Sequence, residues 1–279
     1  MKERAYAKIN LCLDIVERRD DGYHDLQMIM VPVDFYDILE IVPAYETTLS
    51  LDRKFLPVDE KNTIIKAINV MRETYGFDHE FACTLHKHIP TRAGLAGGSA
   101  DAAAAIRILN RMLRLQMTEE EMIEVGKKVG ADVPFCLLNK PALVGGIGEK
   151  IEPFEVNTDF EILLVKPRKG VSTKDAFEIA DHVEQEHPDC LAMRQALISG
   201  DYEGVASHLG NSLEIASLTL VEDIRTIKQE LKNAGFDGVL MSGSGSTVFG
   251  ITRNPVLLEE TMTKMKEKKY FVRRTRILK

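Results

Sequence analysis

The residues able to do chemistry fall into a few short stretches. The longest is Pro90-Thr91-Arg92-Ala93-Gly94-Leu95-Ala96-Gly97-Gly98-Ser99-Ala100, with three glycines among its eleven residues. Glycine permits positive φ and lets a ligand come close to the backbone. The run that follows, Asp101 to Leu113, is rich in helix formers, with Ala102, Ile106, Leu109 and Leu113 at helical spacing. A glycine loop that opens into a helix offers free N–H groups and the positive dipole end to a phosphate. No Gly-Lys-Ser/Thr follows, and the spacing is not G-x-G-x-x-G. The loop is therefore neither a Walker loop nor a dinucleotide fingerprint. A glycine turn that merely caps a buried helix is the plainer alternative.

Lys8 and Asn10 lie two residues apart, so a strand puts both on one face, which is either solvated or lines a site. Asp132, in Gly130-Ala131-Asp132-Val133-Pro134, sits where a chain corner could present a base or cap a helix. Tyr23 and His24 follow the turn signal Asp20-Asp21-Gly22, a place for packing or for a base-binding clamp. Ser242-Gly243-Ser244-Gly245 lies between two apolar runs. It reads as an anion nest or as a flexible hairpin turn.

These residues need scaffolding. Residues 5–16 alternate, with Ile9, Leu11, Leu13 and Ile15 on one face and Lys8, Asn10, Cys12 and Asp14 on the other. Strands are expected over Leu26–Val33 and Ile38–Val42, then a poorly patterned stretch at 46–58, then a helix from Asn62 to Tyr75 closed by Gly76. A strand from Phe81 delivers the glycine loop. His86 and His88 share one of its faces and, with no third ligand nearby, read as solvated. Thr118 and Glu121 form a capping box for a helix that Gly130 stops, and Pro134 is expected to end any helix. Past a boundary near 153–160 come the strand Phe160–Val165, a helix from Ser172 or Thr173, and helical pieces over 189–216 broken near Gly200. A helix from Val221, two strands around the serine–glycine turn, a helix capped by Asn254-Pro255, and a basic final strand complete the chain. The basic residues of that strand read as edge protection. The expected domains are 1–155 and 156–279.

The chain has 279 residues and 44% hydrophobic composition, enough for a substantial core. With 36 basic against 43 acidic side chains the net charge is −7, which argues against nucleic acid as the main partner. Cys12, Cys83, Cys136 and Cys190 are far apart with no C-x-x-C, and read as reduced thiols of a cytoplasmic protein. No apolar run approaches the ~18 residues of a membrane span, and the start is too polar for a signal peptide.

Taken in order, Ala7-Lys8-Ile9-Asn10-Leu11, Asp21-Gly22-Tyr23-His24, the Pro90–Ala100 loop, Gly130-Ala131-Asp132-Val133-Pro134-Phe135 and Ser242-Gly243-Ser244-Gly245 resemble the motifs of the GHMP kinases. The resemblance spans nearly the whole chain. The first strand and the Gly-Tyr-His turn are closest to the family's cytidyl-erythritol branch. It implies an α/β (α+β) two-domain fold with the active site in the cleft, ATP on the loop and Mg²⁺ with it. The reaction implied is phosphorylation of the 2-hydroxyl of a cytidyl-linked methylerythritol in isoprenoid precursor synthesis. By the same resemblance, Lys8 and Asp132 match the catalytic pair, Asn10 a substrate contact, Tyr23 and His24 the cytosine-recognition residues and Phe177 a second stacking ring. The turn Ser242–Gly245 would lie near the phosphates. Two positions depart from the pattern: Ala100 where a second serine is common, and Gly145-Gly146-Ile147-Gly148-Glu149 where Thr-Gly-Arg-Gly-Glu is common. Partners would be small molecules only, with no membrane, in a monomer or homodimer. The alternatives are a kinase of another small alcohol, such as mevalonate or homoserine, and a non-catalytic ligand sensor. Gly-Tyr-His argues against the first, and the presence of both Lys8 and Asp132 against the second.

Overall fold

A computed structural model describes every residue except 54 and 279. Two long strands, Lys2–Arg18 and His24–Ala44, each run from one compact unit of the chain into the other. The first unit comprises Met1–Ala7, Phe35–Thr91 and Ala96–Asn139; the second comprises Lys8–Asp34, Arg92–Leu95 and Lys140–Lys279.

In the first unit, the far half of the second strand pairs antiparallel with Glu80–His86, from Ile38 opposite His86 to Ala44 opposite Glu80. Glu80–His86 pairs in parallel with the short strand Thr48–Leu51. The helices Thr63–Tyr75, Gly97–Met112, Glu119–Val129 and Val133–Leu138 contribute Ile64, Ile68, Met71, Ile106 and Phe135 to the core. Their ends follow the local chemistry. The Asn62 side chain accepts from the N–H of Ile64, Gly76 closes its helix at φ 67°, and Thr118 and Glu121 complete their capping box.

In the second unit, Leu26–Met30 pairs antiparallel with Ala142–Gly146, which pairs with Lys150–Pro153. Cys12 and Leu13 run parallel to Gly210 and Asn211. A separate antiparallel sheet orders Phe271–Thr275, Glu161–Lys166, Val248–Thr252 and Gly238–Met241. The helices Thr173–Ala180, Cys190–Ser199, Tyr202–Ser207, Glu214–Leu220, Asp223–Ala234 and Pro255–Glu267 belong to this unit. The mixture of helices with largely antiparallel sheets makes the fold α+β.

Three expectations are corrected. The second strand is continuous where two were expected, because the chain end carries pairing across Pro32. Leu278 N–H donates to the Pro32 carbonyl, Asp34 N–H donates to that of Arg276, and Val33 bridges Ile277. Pro134 does not end a helix but sits in the first turn of Val133–Leu138, where its missing N–H costs nothing. Cys12 and Cys190 are not separate thiols but a disulfide, with Cα atoms 5.5 Å apart at a sequence separation of 178. No short-range spacing could have shown that pairing. Cys83 and Cys136 lie outside that disulfide and are buried, and burial pushes the Cys83 thiol up to about 12.

Candidate functional site

Neither face of the first strand is solvated. Lys8 is 5% exposed and Asn10 fully buried, so both amphipathic faces lie inside the protein. Lys8 Nζ donates to Asn10 Oδ1 at 2.6 Å, and Asn10 Nδ2 approaches Met28 Sδ at 3.4 Å. The backbone N–H of Asn10 donates to Ser242 Oγ at 3.3 Å, whose own hydroxyl donates to the Gly94 carbonyl at 2.9 Å. Lys8 N–H reaches the carbonyl of Leu95 at 3.2 Å, and Thr247 N–H that of Ala93 at 3.3 Å. The first strand, the middle of the glycine loop and the serine–glycine turn are thus knitted by hydrogen bonds within one unit. The turn is not a flexible hairpin: residues 241–250 are all buried, and Asn211 Nδ2 holds it by donating to the carbonyls of Met241 and Gly243, each at 2.8 Å.

The loop's glycines differ in what they serve. Gly94 has φ +71°, and a Cβ there would lie 1.9 Å from the Ser242 carbonyl oxygen, so the fold itself demands glycine. Gly98 is exposed, is not held at positive φ, and would place a Cβ no nearer than 3.5 Å to any neighbour. Nothing in the packing around it requires glycine there. The helix starts at Gly97, after Ala96 at φ 53°, with no side chain capping it, and Thr63 Oγ1 donates to the Gly98 carbonyl at 2.7 Å. Thr91, Ala96 and Ser99 are partly exposed, Arg92 is exposed, and Ala93, Leu95 and Ala100 are buried. The loop therefore mixes anchors with accessible backbone.

Asp132 is half-buried at the mouth of the helix Val133–Leu138, and its side chain makes no capping hydrogen bond. The capping reading of this carboxylate therefore does not hold. Asp132 belongs to the first unit and Lys8 to the second.

Tyr23 and His24 diverge. Tyr23 is 61% exposed, while His24 is buried with Nε2 2.6 Å from Asp181 Oδ1. The His24 ring stacks on Phe177, centroids 4.9 Å apart at 23°. Phe177 thus lies in one corner with His24, and Asp181 joins them without any sequence signal. Within that corner the histidine is held by a carboxylate and an aromatic face, leaving the exposed Tyr23 ring beside it in the chain.

Sequence reasoning also missed a buried charge cluster in the first unit. Lys87 Nζ binds the carboxylates of Asp37 and, at 2.7 Å, Asp101; all three residues are nearly inaccessible. The available signal was alternation: Lys87 falls on the inward face with Leu85 and Ile89, between the exposed His86 and His88. Burial pushes the Asp101 carboxyl up, with the Lys87 ammonium opposing it. At the departure Gly145–Glu149, the Glu149 carboxylate folds back to accept from Ile147 N–H at 2.7 Å, a local turn that needs no arginine. Among the described residues, no group of three or more His, Cys, Asp or Glu side chains is placed to hold a metal ion, and no helix is long and apolar enough to cross a membrane.

Comparison with known proteins adds three findings. Residues 62–140 match the model of the GHMP kinases N-terminal domain, and residues 193–270 that of the GHMP kinases C-terminal domain. A 4-diphosphocytidyl-2-C-methyl-D-erythritol kinase of Clostridium beijerinckii is 41% identical over 270 residues, 96% of each chain. One of a Geobacillus species is 39% identical over 258 residues, covering 92% of this chain and 89% of the relative. Among solved structures, a 4-(cytidine 5'-diphospho)-2C-methyl-D-erythritol kinase superposes with a TM-score of 0.83 at 27% identity over the full length of both chains.

Proposed function

We propose that this chain, which belongs to the 4-diphosphocytidyl-2-C-methyl-D-erythritol kinase family of the GHMP kinases, transfers the γ-phosphate of ATP to the 2-hydroxyl of 4-diphosphocytidyl-2-C-methyl-D-erythritol, a step of isoprenoid precursor synthesis. The observation that carries the reading is the joint presence of the buried Lys8–Asn10 pair, the half-buried Asp132 carboxylate and an accessible Gly98 at the start of a helix. The last offers free N–H groups and a positive dipole end to phosphates. Family division into 1–155 and 156–279 belongs to the same proposal, the two family-model matches falling one on each side.

Phosphoryl transfer asks a protein mainly for positioning and neutralisation of charge. The loop Pro90–Ala100 binds the ATP phosphates through backbone N–H groups. Asp132 accepts the proton of the substrate hydroxyl as its oxygen attacks the γ-phosphorus and the bond to ADP breaks. Lys8, oriented by Asn10 Oδ1, supplies a positive charge that favours the ionised carboxylate and the charge developing on the transferred group. Mg²⁺ bound together with ATP would supply further neutralisation of the phosphate charge. It takes oxygen donors, often one or two carboxylates with the phosphates themselves, and the Asp132 carboxylate and Ser99 hydroxyl are of that type. Asn10 contacts the erythritol part. Tyr23 stacks on the cytosine, His24, fixed by Asp181 and Phe177, bonds its edge, and the turn Ser242–Gly245 faces the phosphates. The enzyme works in the cytoplasm as a monomer or homodimer, with small molecules as its only partners.

ADP release measured with the cytidyl compound, mevalonate and homoserine tests the reaction. The expected result is turnover with the cytidyl compound alone, reduced ~10²–10⁴-fold in Asp132→Asn. Turnover with mevalonate instead, or an Asp132→Asn variant keeping more than about a tenth of the activity, overturns the assignment.

A further inference from the structure

The cluster of Asp37, Lys87 and Asp101 lies at both ends of the glycine loop. Ahead of the loop, Asp37 Oδ1 accepts from the N–H groups of His88 at 2.5 Å and Ile89 at 2.7 Å, fixing the two residues that precede Pro90. Lys87 N–H donates to Asp52 Oδ1 at 3.2 Å, so the side chain leaves from a held backbone. Beyond the loop, Asp101 stands one turn into the helix and takes the same ammonium that Asp37 takes. Gly97 makes this possible. A Cβ there would lie 2.9 Å from Lys87 Nζ and 2.9 Å from Ile89 Cγ2, so the ammonium packs directly against the helix's first turn. One cation thereby ties the segment before the loop to the segment after it.

The charge count gives the cluster a second consequence. Two buried carboxylates stand behind the turn that is to receive phosphates, and Lys87 is the cation between them. Removing the ammonium would leave two buried carboxylates without their cation, a pair that relaxes by taking up a proton and rearranging and so no longer holds the two ends of the loop together.

We propose that Lys87, clamped by Asp37 and Asp101, is a positioning residue that sets the backbone of the glycine loop for ATP without touching the nucleotide. The inference rests on the reading of that loop as the ATP site. It predicts an effect confined to one substrate: loss of the clamp weakens ATP and spares the alcohol.

The test is calorimetric titration with a non-hydrolysable ATP analogue, alongside steady-state KM values for both substrates. Lys87→Met is expected to raise the Kd for the analogue at least tenfold while the KM of the cytidyl compound stays within twofold. Lys87→Arg, which keeps the cation, is expected to stay within about threefold of wild type. If Lys87→Met fails to fold, Lys87→Met/Asp101→Asn, which restores the wild-type charge count in the pocket, is measured with the same expectation. A folded variant that binds the analogue as wild type does, or one that weakens both substrates equally, overturns the clamp. So does failure of both variants to fold, which makes the cluster purely structural. The reading of the loop itself falls in a different way: wild type would not bind the analogue, or Gly98→Val would bind it unchanged.

Discussion

Two glycine-rich stretches of this chain look alike on paper and behave differently. The loop Pro90–Ala100 is partly exposed, and its glycines divide between Gly94, which the fold requires, and Gly98, which it does not. The turn Ser242–Gly245 is wholly buried, its glycines are at φ 54° and 85°, and a Cβ on Gly245 would lie 2.6 Å from Met241 Sδ. In the turn, glycine answers to packing alone. In the loop, Gly94 and Gly97 answer to packing, while Gly98 has open space around it. A glycine the fold could do without is therefore a better marker of a ligand than glycine content.

The comparison can be broken by substitution. Gly94→Val faces both the positive φ and the Ser242 carbonyl, and should cost about 3 kcal/mol or more in chemical denaturation. A variant as stable as wild type would mean that the loop does not rest on the turn. Ser242→Ala removes the hydroxyl between Asn10 N–H and the Gly94 carbonyl, leaving both without that partner. The expected cost is about 1–3 kcal/mol, read from the same denaturation curves. Gly98→Val should be the mirror image: stability within about 0.5 kcal/mol of wild type, but affinity for an ATP analogue lower by about tenfold, or about 1.4 kcal/mol. Unchanged affinity in this folded variant would reduce the loop to a cap on its helix.

A control outside both stretches sets the lower limit. Arg274, on the edge strand, forks onto both carboxylate oxygens of Glu161 at 2.9 Å and reaches Glu259 at 2.8 Å. Hydrogen bonding to Arg274 holds the Glu161 carboxyl below its ordinary value. A depressed carboxylate contributes stability that is present above its unfolded pKa, about 4.3, and lost as pH falls through the folded one. These groups are near the surface, so Arg274→Gln should cost under about 1 kcal/mol at pH 7. The difference from wild type should shrink toward pH 3. A difference that grows on acidification would contradict the assignment.

Local chemistry was readable where it is local. The helix ends at Asn62, Gly76, Thr118 and Asn254 follow from residues within a turn of one another, and the strand around Lys8, though not the burial of its polar face, follows from alternation. The candidate residues on motifs, from Lys8 to Ser244, stand out by type and spacing, and their proposed roles come from the family resemblance. What escaped depends on partners far away in sequence. Lys87 meets Asp37 across 50 residues, His24 meets Asp181 across 157, and Cys12 meets Cys190 across 178. The gap expected between Val33 and Ile38 is absent, and the residues that pair beside it, Arg276 to Leu278, lie far away at the other end of the sequence. Pro134 was read as a stop because the same residue type serves equally at a helix's first turn.

The most direct test of the proposed kinase is kcat/KM of the wild-type protein for the cytidyl substrate against its uridyl analogue, repeated with His24→Ala. His24 contacts Asp181 and Phe177, so in the proposed site a base edge would meet a fixed ring. Sites that hydrogen-bond a substrate group reject analogues lacking it, because their own polar groups are left unpaired. The account predicts a preference for cytidyl of at least about tenfold, and a similar rise in KM for the cytidyl substrate in His24→Ala with the KM of ATP barely moved. Equal use of the two nucleotides by wild type, or a preference for an alcohol that carries no base, would contradict it.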